Sequence, residues 1–260
     1  MTRRQKLRYA IANQKGGVGK TTTAINLAAS IAQAGERVLL IDMDSQANAS
    51  HGLGVRVSPG QPSVFEVLLG ETSLASVARG CSVPNLEVIP SSPDMAGASV
   101  MLPFLERREF RLRDALAREQ EFAARFRFVF IDCPPSLGLL TVNSLVAAER
   151  VIIPVQGEYY ALEGLAQLMS TISAIQERLN PALRIAGLVL TMMNARTSLG
   201  RQVEQEIRTH FPDLTYRTVV PRNVRLAEAP SHGVPVSMLD PTCSGSDAYF
   251  DLALEVIANG

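Results

Sequence analysis

The sequence predicts an α/β fold, a mostly parallel, twisted sheet with helices on both faces, and three observations carry that expectation. Brief β-branched apolar runs alternate with longer amphipathic ones across the 260 residues. The apolar runs are bounded by polar or turn residues, as strands buried on both faces are. Strand–helix alternation joins parallel strands through right-handed crossovers, which lays helices on both sides of one sheet. No linker, internal repeat or low-complexity tract divides the chain, and its length fits one large domain, so residues 1–260 are read as one unit.

Taken in order, strands are expected at Leu7–Asn13, Arg37–Asp42, Leu86–Pro90, Arg127–Asp132, Arg150–Val155 and Arg184–Thr191. Helices are expected at Thr21–Ala34, Phe110–Phe126, Gly138–Ala148, Leu162–Leu179 and Leu199–Phe211. Ser45–Pro62 and Ser91–Pro103 are richer in Gly, Ser and Pro and read as loops or short helices. Sheets of this kind bind ligands at the carboxyl ends of their strands, so the chemistry is sought there.

Composition narrows the function classes. At 47% hydrophobic and 19% charged the chain has material for a substantial core, and its formal net charge of zero gives no global attraction to nucleic acid or membrane. Any polyanionic partner must therefore be held by a local patch. Cys81, Cys133 and Cys243 are scattered and odd in number, which argues for a reducing compartment. The basic start (Arg3, Arg4, Lys6, Arg8) is not followed by an apolar segment, and no apolar stretch approaches the ~18 residues of a membrane span. A cytoplasmic location is expected.

Directly after the first strand, Gln14-Lys15-Gly16-Gly17-Val18-Gly19-Lys20-Thr21-Thr22 opens a helix. Backbone N–H groups of such a loop and the helix N-terminus make an anion cradle, with Lys20 reaching the β/γ-phosphates and the Thr21 hydroxyl on Mg²⁺. The ordinary P-loop pattern wants glycine where Gln14 stands, so the motif here is KGGxGKT. The chain has only three lysines, Lys6, Lys15 and Lys20, against 22 arginines, and two of the three bracket this loop. A compact ammonium suits a site packed against phosphate oxygens better than a guanidinium fork.

The segment KGGVGKTTTAINLA resembles the deviant Walker A of the ParA/MinD superfamily, which implies a single P-loop NTPase domain that binds ATP with Mg²⁺. The resemblance implies that Lys15, Gly16, Gly17, Val18, Gly19, Lys20, Thr21 and Thr22 surround the nucleotide. It also implies that Lys15 reaches across a homodimer to the partner subunit's ATP. Such a lysine works like an arginine finger supplied in trans, spreading transition-state charge and tying hydrolysis to dimerisation.

The next strand ends Ile41-Asp42-Met43-Asp44-Ser45-Gln46, where pleat alternation aims Asp42 and Asp44 to one side. The segment resembles the superfamily's switch I, usually DxDPQ, with Ser45 in place of the proline and Ala47 in place of a frequent glycine. Carried over, Asp44 orients the attacking water and Asp42 supports the Mg²⁺ water shell. The apolar run Phe128–Ile131 ends in Asp132, the Walker B arrangement, with Asp132 holding Mg²⁺ through water. Pro134, Pro135 and Gly138 then make a turn able to respond to a γ-phosphate.

Two more segments, Thr191-Met192-Met193-Asn194 and Val220-Pro221-Arg222-Asn223-Val224, each follow a strand and flank the adenine in the family. There Asn194 and the backbone of Pro221, Arg222 and Asn223 would contact the base. Pro154–Gly164 and Pro221–Gly233 resemble the ParA/Soj branch in particular, and that likeness runs over nearly the whole chain. It implies an ATP-state homodimer that binds double-stranded DNA without sequence preference, acts with a ParB-like partner and is nucleoid-associated. Arg196 and Arg225 correspond in position to its DNA contacts. Between Thr191 and His232 stand six arginines against four acids, a modest basic surplus.

Other readings weigh less. A MinD-like membrane-positioning ATPase needs a cationic C-terminal amphipathic helix, whereas Ala248–Gly260 carries two acids and no cation, so no membrane partner is expected. A related cargo-positioning ATPase stays open as the alternative. An iron–sulfur donor needs two suitably placed cysteines per subunit, and none here is suitable. A non-hydrolysing scaffold is opposed by Lys20, Asp44 and Asp132. The first strand begins almost at once, leaving no room for an N-terminal helix-turn-helix domain.

Overall fold

Neighbouring residues on a buried strand face opposite ways, so a strand apolar at every position feeds two cores at once. The computed structural model, which describes residues 6–58, 60–158, 161–193 and 198–259, shows this directly. Its strands are β1 (Leu7–Ile11), β2 (Val38–Asp42), β3 (Arg79–Gly80), β4 (Leu86–Ile89), β5 (Phe128–Asp132), β6 (Arg150–Gln156), β7 (Arg184–Met193) and β8 (Thr215–Pro221). They form one sheet in the order β3-β4-β2-β5-β1-β6-β7-β8. Every neighbouring pair is parallel except β3 with β4 at the edge.

Leu7, Tyr9, Ile11, Val38, Leu40, Phe128 and Phe130 face one core, which helices Lys20–Gln33 and Ser244–Ala258 cover. Ala10, Leu39, Ile41, Val129 and Ile131 face the other, under helices Val64–Leu69, Arg111–Arg118, Leu139–Ala147, Ala161–Arg178 and Ser198–His210. Burying one large apolar side chain in such a core contributes about 1.5–3 kcal/mol. Helix Lys20–Gln33 is buried on nearly all sides between the sheet and helix Ser244–Ala258. Thr23 and Tyr249 join these two helices through a 3.1 Å hydroxyl–hydroxyl hydrogen bond.

The six expected strands stand within two residues of their expected ends. The sequence pattern gives no bounds for β8, whose half-buried edge position blurs its alternation. The expected helix Phe110–Phe126 divides into Arg111–Arg118 and Gln120–Ala123. At the break Glu119 leaves helical geometry (φ −104°, ψ 51°), and its carboxylate accepts hydrogen bonds from the N–H groups of Leu74 (2.6 Å) and Ala75 (2.9 Å). The carboxylate thus caps helix Leu74–Val77 from another part of the chain, a tertiary contact that helical periodicity cannot foresee.

A cap of this kind contributes about 1 kcal/mol. Glu119→Ala should therefore lower the urea midpoint by that equivalent while leaving ATP hydrolysis close to wild type. An unchanged midpoint would show that the cap contributes nothing.

Candidate nucleotide site

β1 lies near the middle of the sheet, and the chain leaves its carboxyl end into the glycine loop. Gly17 (φ 74°) and Gly19 (φ 84°) adopt the left-handed conformation that other residues reach only with strain. A Cβ added at Gly16 or Gly17 would meet nothing within 4 Å, so the loop's outer side is open to a ligand. Gly19 caps helix Lys20–Gln33 without a side-chain hydrogen bond, and the first intrahelical bond runs from Thr23 N–H to Gly19 O (2.8 Å). The preceding N–H groups lack helical acceptors and, with the helix dipole, favour an anion.

The two loop lysines are placed differently. Lys20 is 7% exposed, and its Nζ arches back to donate to Lys15 O at 2.9 Å. Burial lowers its pKa, opposed by the nearby Asp132 carboxylate. The Lys15 side chain is 38% exposed and its Nζ pairs with Glu158 Oε2 at 2.5 Å. Neighbouring bonds fix the loop base: Lys15 N–H donates to Asn13 Oδ1 (3.0 Å), and Asn13 Nδ2 donates to Pro154 O at the end of β6 (2.7 Å). Thr191 Oγ1 on β7 donates to Val18 O (2.8 Å).

Asp42 and Asp132 end adjacent strands in direct register, and both are fully buried. Burial raises both carboxyl groups, Asp42 to about 6 and Asp132 well above the ordinary range, and the Asp42 charge adds to the rise at Asp132. Three hydrogen bonds moderate the shift at Asp42: Oδ1 accepts from Asp44 N–H (3.1 Å), and Oδ2 accepts from Ser50 N–H (2.8 Å) and Ser50 Oγ (2.7 Å). Asp42 thus anchors the loop that follows β2. Asp44 lies past the strand end, so a turn, not the pleat, aims its carboxylate, and Oδ1 accepts from Gln46 N–H (3.0 Å).

Neither oxygen of Asp132 reaches hydrogen-bond geometry with another group, although Thr21 lies close enough to hold its pKa down somewhat. A fully buried carboxylate without a donor is costly and calls for a cation or ordered water. Among the described residues no three His, Cys, Asp or Glu side chains converge as a metal cage. Hydrated Mg²⁺ keeps several waters and takes other ligands from phosphate, so Thr21 and Asp132 would suffice as its protein groups. Asp42 has about one lone pair free for that water shell.

Beside the loop opens a cleft of about 360 Å³ lined by Gly19, Thr22, Thr191, Met192, Val220, Pro221, Arg222, Asn223, Val224, Leu226, Ala227 and Tyr249. Its mostly apolar walls and size suit a flat heteroaromatic base. Arg222 N–H donates to Met193 O (3.2 Å), holding the two flanking segments together. The structure therefore brings Pro221, Arg222 and Asn223 to the loop, while Asn194 and Arg196 lie outside the described residues. Sequence reasoning misses Leu226 and Tyr249, whose apolar character reads simply as core. It also misses Ser50, Asn13 and Glu158, whose roles depend on strand neighbours.

Arg225 is exposed and pairs with Glu228 (2.8 Å) and Asp240 (3.3 Å). Cys133 is buried with its thiol pushed up to about 12 by desolvation, and Cys81 and Cys243 are half-buried free thiols. Among the described residues no helix is long and apolar enough to cross a membrane.

Comparisons with known proteins give the family of the chain. A family model described as an AAA domain matches residues 8–185. The sporulation initiation inhibitor protein Soj of Bacillus subtilis is 50% identical over 251 residues, 96% of this chain and 98% of its own. The chromosome partitioning protein ParA of Caulobacter vibrioides is 51% identical over 249 residues, 96% of this chain and 93% of its own. Among solved structures, a cobyrinic acid a,c-diamide synthase from Mycobacterium smegmatis with bound ADP and magnesium has a TM-score of 0.82 at 35% identity, covering 96% of this chain and 93% of that one. Identity to the partitioning proteins is well above that to the synthase, over equal coverage. The chain belongs to the Soj/ParA family of P-loop ATPases.

Proposed function

We propose that this chain is an ATP-dependent dimerising switch that binds DNA without sequence preference and drives its segregation. A ParB-like partner would stimulate hydrolysis, and the protein would act in the cytoplasm on the nucleoid. One observation carries the reading furthest: of the two loop lysines, Lys20 is buried in its own cradle while Lys15 stands exposed at the rim. A single nucleotide needs one such cation inside, which leaves the outer lysine available to a second subunit's phosphates.

In this reading Gly16, Gly17, Val18, Gly19 and Thr22 hold the phosphates of ATP, and Lys20 neutralises the β/γ oxygens. Thr21 and Asp132, with Asp42 behind them, hold hydrated Mg²⁺, which supplies charge neutralisation at the transferring phosphoryl group. Asp44 orients the attacking water. Lys15 completes the site from the other subunit, and Pro221, Arg222, Asn223 and Asn194 take the adenine. Arg225 and Arg196 form the DNA patch. The position of Arg225 refines this last role, because duplex phosphates must displace Glu228 and Asp240 from its guanidinium.

The two lysines should separate experimentally. Lys20→Ala should abolish ATP binding measured by calorimetry. Lys15→Ala should keep monomer nucleotide affinity but lose dimerisation and about 10³–10⁵ in turnover, the effect of a trans cation. A Lys15→Ala protein that dimerises normally with ATP would overturn the cross-subunit role.

Asp44→Ala should bind ATP and accumulate as a long-lived dimer in light scattering with Mg²⁺, because the phosphate cradle is intact and only water positioning is lost. Hydrolysis at the wild-type rate would remove Asp44 from the reaction.

DNA binding should appear in the ATP state on any duplex and weaken steeply with salt. Removing Arg225 takes two phosphate contacts from a dimer, so Arg225→Ala should flatten the log–log salt slope by about 1.8 equally on unrelated sequences. An unchanged slope and affinity would place the patch elsewhere. Wild-type protein that ignores DNA and binds anionic vesicles would replace this reading with the membrane one.

A further inference from the structure

β1 and β6 are neighbours, so the loop leaving β1 and the segment leaving β6 meet at the same edge of the sheet. Asn13 ties the two by accepting from Lys15 N–H and donating to Pro154 O. After β6 the chain passes Gly157, where a Cβ would lie 2.4 Å from Met193 Sδ, so a larger residue would have to displace that thioether at the end of β7. Glu158, turned back by its N–H bond to Gln156 O (2.8 Å), then meets the Lys15 ammonium. Lys15 and Glu158 are 143 residues apart, and the pairing follows from tertiary structure alone.

We infer that Glu158 is a positioning residue for Lys15, holding that lysine within its own subunit until a second subunit's triphosphate takes it. The inference rests on the reading of Lys15 as a cross-subunit cation. A lysine directed to its own Glu158 and one reaching into another subunit's phosphates are alternative arrangements of one side chain. Both partners are more than a third exposed, at 38% and 48%, so the pair is a weak restraint that a multiply charged triphosphate outcompetes. Glu158 therefore biases the monomer–dimer equilibrium without closing it.

Exposed pairs shift an equilibrium by about 1.4- to 5-fold, and a symmetric dimer opens two of them. Glu158→Gln removes the charge at constant size and should lower the dimer dissociation constant by about 2- to 25-fold. The measurement is analytical ultracentrifugation with Mg²⁺ and a non-hydrolysable ATP analogue. Added salt should narrow the gap to wild type by screening the native pair. Glu158→Asp, which keeps the charge, should return toward wild type, and ADP affinity of the monomer should be the same in all three.

A second readout isolates the pair from dimerisation. With only three lysines in the chain, acylation by an amine-reactive ester can be read by mass spectrometry at Lys15, using the exposed Lys6 as internal reference. In nucleotide-free protein, Glu158→Gln should raise Lys15 labelling relative to Lys6. Unchanged labelling, or a dimer constant equal to or weaker than wild type, overturns the inference. If labelling rises while Lys15→Ala still dimerises normally, the pair is real and the cross-subunit reading is what fails.

Discussion

A buried helix that begins without a side-chain cap has backbone N–H groups in need of an acceptor. Helix Lys20–Gln33 begins in this way at the carboxyl edge of the sheet, behind two glycines in left-handed geometry. Much of the surrounding structure serves to keep that N-terminus fixed and open. Asn13 and Thr191 brace the loop from β6 and β7, and Tyr249 braces the helix from the far side through Thr23. Because the helix is buried almost all round, it cannot tilt to bury its own N–H groups. An anion satisfies these N–H groups and the helix dipole together, so the packing accords with the phosphate-binding reading of the motif.

Charge around this cradle is arranged in a graded way. Asp42 and Asp132 are side by side in the low-dielectric interior, and their mutual repulsion is relieved unequally. Asp42 is absorbed into backbone and serine hydrogen bonds, whereas Asp132 has its oxygens unpaired. This asymmetry separates two chemically identical groups: Asp42 holds the loop after β2, and Asp132 keeps both oxygens unpaired by protein donors. The bond from Asp42 to Ser50 also couples the loop after β2 to Ser91 after β4, since Ser91 N–H donates to Ser50 Oγ (3.0 Å). Asp44, whose N–H donates to Asp42 Oδ1, is tied into the same chain of bonds.

The candidate DNA arginine and the base cleft share a short helix. Val224 and Leu226 line the cleft while Arg225, between them, points to solvent and to Glu228 and Asp240. Asn223 caps that helix by accepting from Arg225 N–H (2.8 Å). Val224 and Leu226 therefore fix this helix against the cleft while Arg225 stays on its outer side.

The sequence by itself determined the parallel sheet, the positions of its central strands, the glycine loop and the two strand-end aspartates Asp42 and Asp132, because these features are local. Apolar run length, turn residues and the order of glycines and lysines are all read within a dozen positions. Through resemblance and not through periodicity it also singled out Pro221–Asn223, which line the cleft beside the loop. Tertiary structure decided what local pattern cannot contain. It set Asp42 beside Asp132, 90 residues away, because β2 and β5 are neighbours in the sheet. It broke the helix at Glu119, buried Lys20 while leaving Lys15 exposed to Glu158, and built the cleft from segments around residues 19, 192, 222 and 249. In each case the deciding contact joins residues far apart in sequence, and only the packing of sheet and helices brings them within reach.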